Sequence, residues 1–199
     1  MSGQYSIEKW SLPVRVGGVE VGRHHFLVLK DGNGKTVREL HGGAEEIGLD
    51  GQPTGNLKLT ALSGTHLVKE GDVSKGVGKE TYSRNPIASD PTADDYPNAR
   101  WEVELQRGSQ NDIMNRWNAA VDAAEEINSK KYNYLPTPNG SIYTGNSNSS
   151  SNTLAQVVSD VSYKPAPNDS TAPGASIDLL IPTDIMIDRC VPNRAIRWM

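Results

Sequence analysis

Cysteine and long apolar runs are both scarce in this chain of 199 residues. The single cysteine, Cys190, excludes an internal disulfide framework and a cysteine-rich zinc site. No segment approaches the roughly 18 consecutive apolar residues that span a bilayer, and the N-terminus lacks a basic stretch followed by an apolar run. The sequence therefore predicts a protein made in the cytoplasm without a signal peptide and without a membrane span.

Blocks of like charge are also missing. The 20 basic and 24 acidic side chains are mixed along the sequence and give a formal net charge of -4. Without a cluster of Lys and Arg to neutralise phosphates, nucleic acid is not an expected partner. The histidines lack a zinc-binding spacing such as H-x-x-x-H, so we predict neither a metal site nor a cofactor.

The length fits one domain over 1–199 with its own core. The hydrophobic share is only 36%, and 19 Gly and 12 Pro indicate many turns, so we expect long loops. Alternating patterns predict a β-meander over 14–41 with turns at Gly17–Gly18 and Asp31–Gly34, two short strands within 57–68, a strand over 101–105 and strand material over 177–187.

Two helices are predicted from apolar residues at helical spacing. Ser109, followed by Asp112, forms a capping pattern that begins the first helix. The second helix is predicted from about Ser147 to Val161. The apolar faces comprise Ile113, Trp117, Ala120, Val121, Ala124 and Ile127 in the first helix, and Leu154, Val157, Val158 and Val161 in the second. The predicted fold class is α+β, with an antiparallel sheet packed against two main helices.

Histidines stand at both ends of one predicted hairpin. His24 and His25 open the first strand, and the return strand ends with Glu39 and His41. Because strand residues alternate between faces, Glu39 and His41 share a face, and only one of the two adjacent histidines can join them. A base and its orienting partner could thus meet across the hairpin.

A run of Asn and Ser at 146–149 stands at the predicted start of the second helix. The unpaired N–H groups and positive dipole of a helix N-terminus stabilise an anionic nucleophile and a developing oxyanion. We therefore expect a nucleophile here, with an oxyanion on N–H groups near Ser147 and Asn148. A plainer interpretation is a polar linker with a redundant N-cap, and histidine pairs on strands are often surface features.

The order of these segments resembles the permuted papain-like superfamily, which includes lecithin:retinol acyltransferase-like enzymes and bacterial cell-wall amidases. His25-Phe26-Leu27-Val28-Leu29 is similar to the family motif H-W-A-x-Y, and the segment from Asn146 to Leu154 is similar to N-C-E-H-F-x-x-x-L. The resemblance covers about 19–43 and 132–161 and implies a permuted papain-like fold. Tyr132–Leu135 ahead of this helix also resembles a subgroup of secreted toxins and effectors.

The resemblance also implies roles for individual residues. His25 would be the general base, His41 its orienting partner and Ser147 the nucleophile. The hairpin is four residues longer than in the family, and adding two residues to each strand would preserve the facing of the histidines. The secondary candidates are His24, Glu39, Asn146, Asn148 and Ser149.

The family cysteine position holds Ser147. Three explanations remain open: a natural serine hydrolase, a natural loss of activity, or an engineered replacement of a catalytic cysteine. Cys190 lies outside a helix start and is not expected to be the nucleophile.

The function implied is hydrolysis of an amide or peptide bond by an antibacterial effector secreted by a dedicated machine, such as type VI secretion, and acting in the periplasm of a target cell. Its partners would be peptidoglycan or another amide substrate, a cognate immunity protein and a secretion-machinery carrier. The alternatives are a lipid-ester hydrolase or acyltransferase of phospholipase type, and a catalytically dead papain-like binding module.

Overall fold

Seven strands form one sheet in the computed structural model, which describes residues 3–16, 19–47, 49, 53–63, 100–135, 144–159 and 179. The sheet order is β5-β1-β2-β3-β4-β6-β7, and every neighbouring pair is antiparallel except β6 and β7. The strands are β1 (Tyr5–Val16), β2 (Val19–Lys30), β3 (Thr36–Ile47), β4 (Pro53–Ser63), β5 (Arg100–Gly108), β6 (Asn133–Tyr134) and β7 (Thr144–Gly145).

The predicted meander corresponds to β1, β2 and β3, and its strands are longer than the patterns indicated. At the second predicted turn the N–H of Gly34 donates to the carbonyl of Asp31 at 3.0 Å, and Gly34 has a φ of 81°, a conformation that favours glycine. The predicted Gly17–Gly18 turn lies outside the described residues. The first of the two strands predicted within 57–68 is β4, which ends at Ser63, and the second, beyond Gly64, lies outside the described residues.

Among the described residues, two helices accompany the sheet, α1 (Gln110–Lys130) and α2 (Ser147–Val158). The side chain of Ser109 caps α1 as predicted, and α2 ends at Val158, three residues before the predicted end. Within the described ranges, neither helix combines the length and apolar composition that a bilayer crossing requires. The strand material predicted over 177–187 falls outside the described residues apart from Leu179.

The α+β class, with an antiparallel-dominated sheet and two helices, is thus confirmed. Both helices pack on one side of the sheet, where Leu27, Leu29 and Leu40 join Trp117 of α1 and Leu154 of α2 in the main core. We call this side of β2 and β3 the helix face. The opposite side, which carries His24, Phe26, Glu39 and His41, is called the histidine face, and these four side chains are also buried.

The pairing of β2 with β3 ends part-way along both strands. Their recorded pairs run from Lys30 opposite Thr36 to Phe26 opposite His41. Beyond this point β2 continues along β1, whereas β3 continues along β4. We call the point where the two strands separate, between His25 and Gly42, the fork.

Candidate functional site

Ser147 is the first residue of α2, and Asn146 caps the helix. The side-chain oxygen of Asn146 accepts hydrogen bonds from the N–H of Asn148 at 2.9 Å and of Ser149 at 3.0 Å. In return, the N–H of Asn146 donates to Oγ of Ser149 at 2.8 Å, which completes a capping box. Asn146 and Ser149, both secondary candidates from the sequence, therefore fix the start of the helix.

The cap decides which backbone donors remain open. The N–H groups of Asn148 and Ser149 are taken by the Asn146 side chain, and that of Ser150 donates to the Asn146 carbonyl at 3.0 Å. Within the described part of the chain, the N–H of Ser147 is the first-turn donor that has no acceptor. The oxyanion donors expected near Ser147 and Asn148 are thus reduced to the N–H of Ser147 itself.

Asn148 connects this helix start to the strand that carries His25. Its side-chain oxygen accepts the backbone N–H of His25 at 3.0 Å and lies 3.5 Å from Oγ of Ser147. His25 shares the helix face with Leu27, because side chains alternate along β2. Ser147 and His25 are therefore brought to the same side of the sheet.

Gly42, on the other strand of the fork, allows α2 to approach closely. A β-carbon added at Gly42 would collide with Oγ of Ser150 and lie 3.4 Å from Cα of Ser147. Glycine is favoured here because any larger residue would have to displace the Ser150 hydroxyl in the first turn of α2. The first turn of α2 thus contacts both strands of the fork, at His25 and at Gly42.

A hydrogen-bonded chain lies on the histidine face. Oε2 of Glu39 is 2.9 Å from Nε2 of His41, and Nδ1 of His41 is 3.1 Å from Nε2 of His24. All three residues are at most 2% exposed, and the His41 ring stacks on Phe26 at a centroid distance of 4.4 Å. These hydrogen bonds join β2 to β3 across the start of the fork, from His24 on one strand to His41 on the other.

The predicted partnership of His25 with His41 does not occur, because the two side chains are on opposite faces. Near the turn, Lys30 pairs with Thr36, a register that would place His25 directly opposite His41. A β-bulge shifts the register between Leu29 and Lys30, so that Phe26 pairs with His41 instead. One extra residue in one strand exchanges the faces of all residues beyond it. His41 consequently meets His24 and Glu39.

A polar network beside His25 was missed by the sequence analysis. Ser11 pairs with His25 across β1 and β2; its hydroxyl accepts from Nε of Arg23 at 2.8 Å and donates to Glu102 of β5. Arg23 precedes His25 by two residues, so strand alternation could have placed it on the same face. The contact with Glu102 joins strands far apart in the sequence and left no local signal.

The buried Lys9 was also missed. It is 2% exposed and pairs with Leu27 across β1 and β2, which places it on the helix face.

In the described ranges, no group of three or more His, Cys, Asp or Glu side chains could hold a metal ion. Cys190 lies outside those ranges.

Comparisons of the chain with protein-family models, with curated proteins and with solved structures each found no match.

Proposed function

We propose that the chain is a hydrolase of amide or peptide bonds with a permuted papain-like arrangement, centred on Ser147 and His25. The observation that supports this most directly is the 3.0 Å contact from the His25 N–H to the Asn148 side chain, which joins the helix start to the base strand. Ser147 follows the capping residue directly, and its own N–H is directed out of the helix end. A nucleophile, a base and an oxyanion donor are thus grouped at the fork.

In the proposed reaction, Oγ of Ser147 bonds to the carbonyl carbon of the substrate while His25 takes the hydroxyl proton. The carbonyl electron pair moves to oxygen, and the resulting oxyanion accepts a hydrogen bond from the N–H of Ser147. The carbon–nitrogen bond then breaks as His25 returns the proton to the leaving amine. Water, deprotonated by His25, then attacks the acyl carbon, the bond from that carbon to Oγ of Ser147 breaks, and His25 returns the proton to Oγ.

The rate of the proposed reaction depends on which nucleophile stands at position 147. A serine hydroxyl is a weaker nucleophile than a thiol near neutral pH and depends strongly on its base. If the serine stands in place of a cysteine, the Ser147→Cys variant would therefore hydrolyse the substrate faster than the serine form.

The substrate and setting proposed are bacterial peptidoglycan and an antibacterial effector that reaches the periplasm of a target cell by a dedicated secretion machine. A cognate immunity protein and a carrier from that machine would be its partners. The substrate, the setting and these partners are proposed on the sequence resemblance to bacterial cell-wall amidases and secreted toxins alone.

A second candidate, a papain-like binding module without catalysis, is favoured by one specific contact. Ser147 is 5% exposed, and its hydroxyl lies 3.5 Å from the amide oxygen of Asn148. An amide oxygen is an acceptor that cannot serve as a base. A nucleophile held in this way would not be activated.

The experiment that tests the proposal sends the chain to the periplasm of a bacterium as the Ser147, Ser147→Cys, Ser147→Ala and His25→Ala forms. We expect lysis by the Ser or Cys form and none by the two Ala forms. Ser151→Ala is the matched control: Ser151 lies one turn further along α2, and its buried Oγ has no hydrogen-bond partner within the described residues. This control should remain as lytic as the parent.

Lysis by the Cys form alone would identify an inactivated cysteine amidase. Growth that is unaffected by every form, with no muropeptide released, would overturn the cell-wall proposal. Release of fatty acids in place of muropeptides would support the phospholipase-type alternative.

A further inference from the structure

Asn148 contacts both parts of the proposed reaction centre. Its side chain is buried, and its oxygen receives the His25 N–H at 3.0 Å and faces Oγ of Ser147 at 3.5 Å. Its own N–H is bonded to the Asn146 cap at 2.9 Å. Since the residue is held at both its backbone and its side chain, it has little freedom to change rotamer.

The position of His25 makes this contact structurally significant. His25 is the first residue of β2 beyond the pairing with β3, which ends at Phe26 opposite His41, while the His24–His41 hydrogen bond joins the two strands on the other face. The Asn148 amide bonds to the β2 backbone here, while Gly42 admits the helix on the β3 side. The separation between the first turn of α2 and the base strand is therefore set by a side chain of α2.

We infer that Asn148 is a positioning residue that holds the His25 strand at reacting distance from the nucleophile at position 147. The inference rests on the proposed function, in which His25 is the base. An amide is neutral and has no proton-accepting role in the reaction, so Asn148 acts through the geometry of the other two residues. Misplacement of a reacting group by about 1 Å can slow a reaction about 100-fold, so such a contact has a large effect.

The experiment uses the full-length Ser147→Cys form and follows formation of the thiolate by its ultraviolet absorbance across pH. Spectra of the Ser147 parent are subtracted, so Cys190 and the tyrosines cancel. A histidine base within reach lowers the pKa of a cysteine thiol by about one to several units from its ordinary value of about 8.5. This readout needs no substrate.

The titration is performed with His25 and with His25→Ala in three backgrounds: Asn148, Asn148→Ala and Asn148→Asp. The quantity measured is the change in thiol pKa caused by His25→Ala in each background, as in a double-mutant cycle. The aspartate side chain retains an oxygen that can accept the His25 N–H, and the effect of its charge on the thiol is present with and without His25. That effect therefore cancels in the difference.

We expect the His25 effect to be about one pH unit or more with Asn148, to collapse with Asn148→Ala and to return with Asn148→Asp. Thr153→Ala is the control for a merely structural effect. Thr153 is buried in α2, where its hydroxyl donates to the Ser149 carbonyl and accepts from the N–H of Leu179. This variant should lower stability and leave the His25 effect unchanged.

Two results would contradict the account in distinguishable ways. If His25→Ala leaves the thiol titration unchanged in the Asn148 background, the pairing of position 147 with His25 is absent and the proposed function fails. If His25→Ala shifts the titration equally in the Asn148 and Asn148→Ala backgrounds, the proposed function stands and the positioning role is overturned. If Asn148→Ala fails to fold, the Asn148→Asp background decides: loss of the His25 effect there would likewise overturn the role.

Discussion

Nε2 of His24 lies 3.1 Å from Nδ1 of His41, and this pair joins β2 to β3 on the face opposite Ser147. An ionised Glu39 can only accept, so Nε2 of His41 donates to it. A neutral His41 then accepts at Nδ1 from the Nε2–H of His24. His24 thus donates to His41, and His41 donates to the buried carboxylate of Glu39. These hydrogen bonds stabilise the sheet immediately beside the fork.

Removing the carboxylate should therefore destabilise the protein strongly. Glu39→Ala leaves the His41 donor without its acceptor in a fully buried position, and we expect a loss of about 1–3 kcal/mol in the free energy of unfolding. Glu39→Gln keeps an acceptor and should cost less. Urea unfolding measures both. Glu46→Ala, at an exposed position on the same strand, is the control. Equal urea midpoints for Glu46→Ala and Glu39→Ala would refute the stabilising role of the Glu39–His41–His24 hydrogen bonds.

The close approach at Gly42 predicts a specific steric conflict. Gly42→Ala should lower the free energy of unfolding by about 1–3 kcal/mol, because the new β-carbon meets Oγ of Ser150. Adding Ser150→Ala removes that oxygen and should restore part of the loss. Gly108→Ala is the control, since its added β-carbon would lie 3.8 Å from Ile113, an ordinary contact. Thermal unfolding of the parent and the three variants decides, and a Gly42→Ala variant as stable as the control contradicts the packing described.

The two helix caps should differ in their contribution to stability. The Asn146 side chain accepts two N–H groups in a buried position, whereas exposed Ser109 accepts one, from Asp112. We expect Asn146→Ala to cost about 2 kcal/mol and Ser109→Ala about 1 kcal/mol in the free energy of unfolding. Chemical denaturation followed by circular dichroism measures the difference. A loss for Ser109→Ala as large as that for Asn146→Ala would contradict this ranking of the two caps.

Local patterns predicted the elements of the fold and some of the site. The Ser109 cap and the apolar repeat from Ile113 to Ile127 are local signals, so α1 was placed correctly at its start. The 146–149 run likewise predicted the start of α2 at Ser147. Such signals suffice where a helix is defined by its own cap and apolar face.

The partners of the histidines could not be predicted for a physical reason. A one-residue bulge in β3 decides whether His41 faces His25 or His24, and the segment 36–38 has no glycine or other residue that marks it. The β6 and β7 pairing was also missed, because two-residue strands are set by contacts such as Asn56 with Asn133 that are distant in sequence. Long-range register is a property of the assembled sheet.

Tyr134 predicts a stability change at alkaline pH. Burial raises the pKa of the Tyr134 phenol from 10.0 to about 12 in the folded protein. The unfolded chain loses this proton first, so the stabilisation is complete below pH 10.0 and is lost as pH rises to about 12. Unfolding midpoints across this range should fall less steeply for Tyr134→Phe. Identical slopes for the parent and the variant would show that Tyr134 titrates normally.

The most direct test of the central claim is digestion of purified bacterial peptidoglycan by the Ser147, Ser147→Cys, Ser147→Ala and His25→Ala forms, with released fragments identified by mass spectrometry. We predict fragments with a newly hydrolysed amide bond from the Ser147 or the Cys form, and none from either Ala form. Amide cleavage that persists in both Ala forms would contradict the account, since the chemistry would then not lie at the fork.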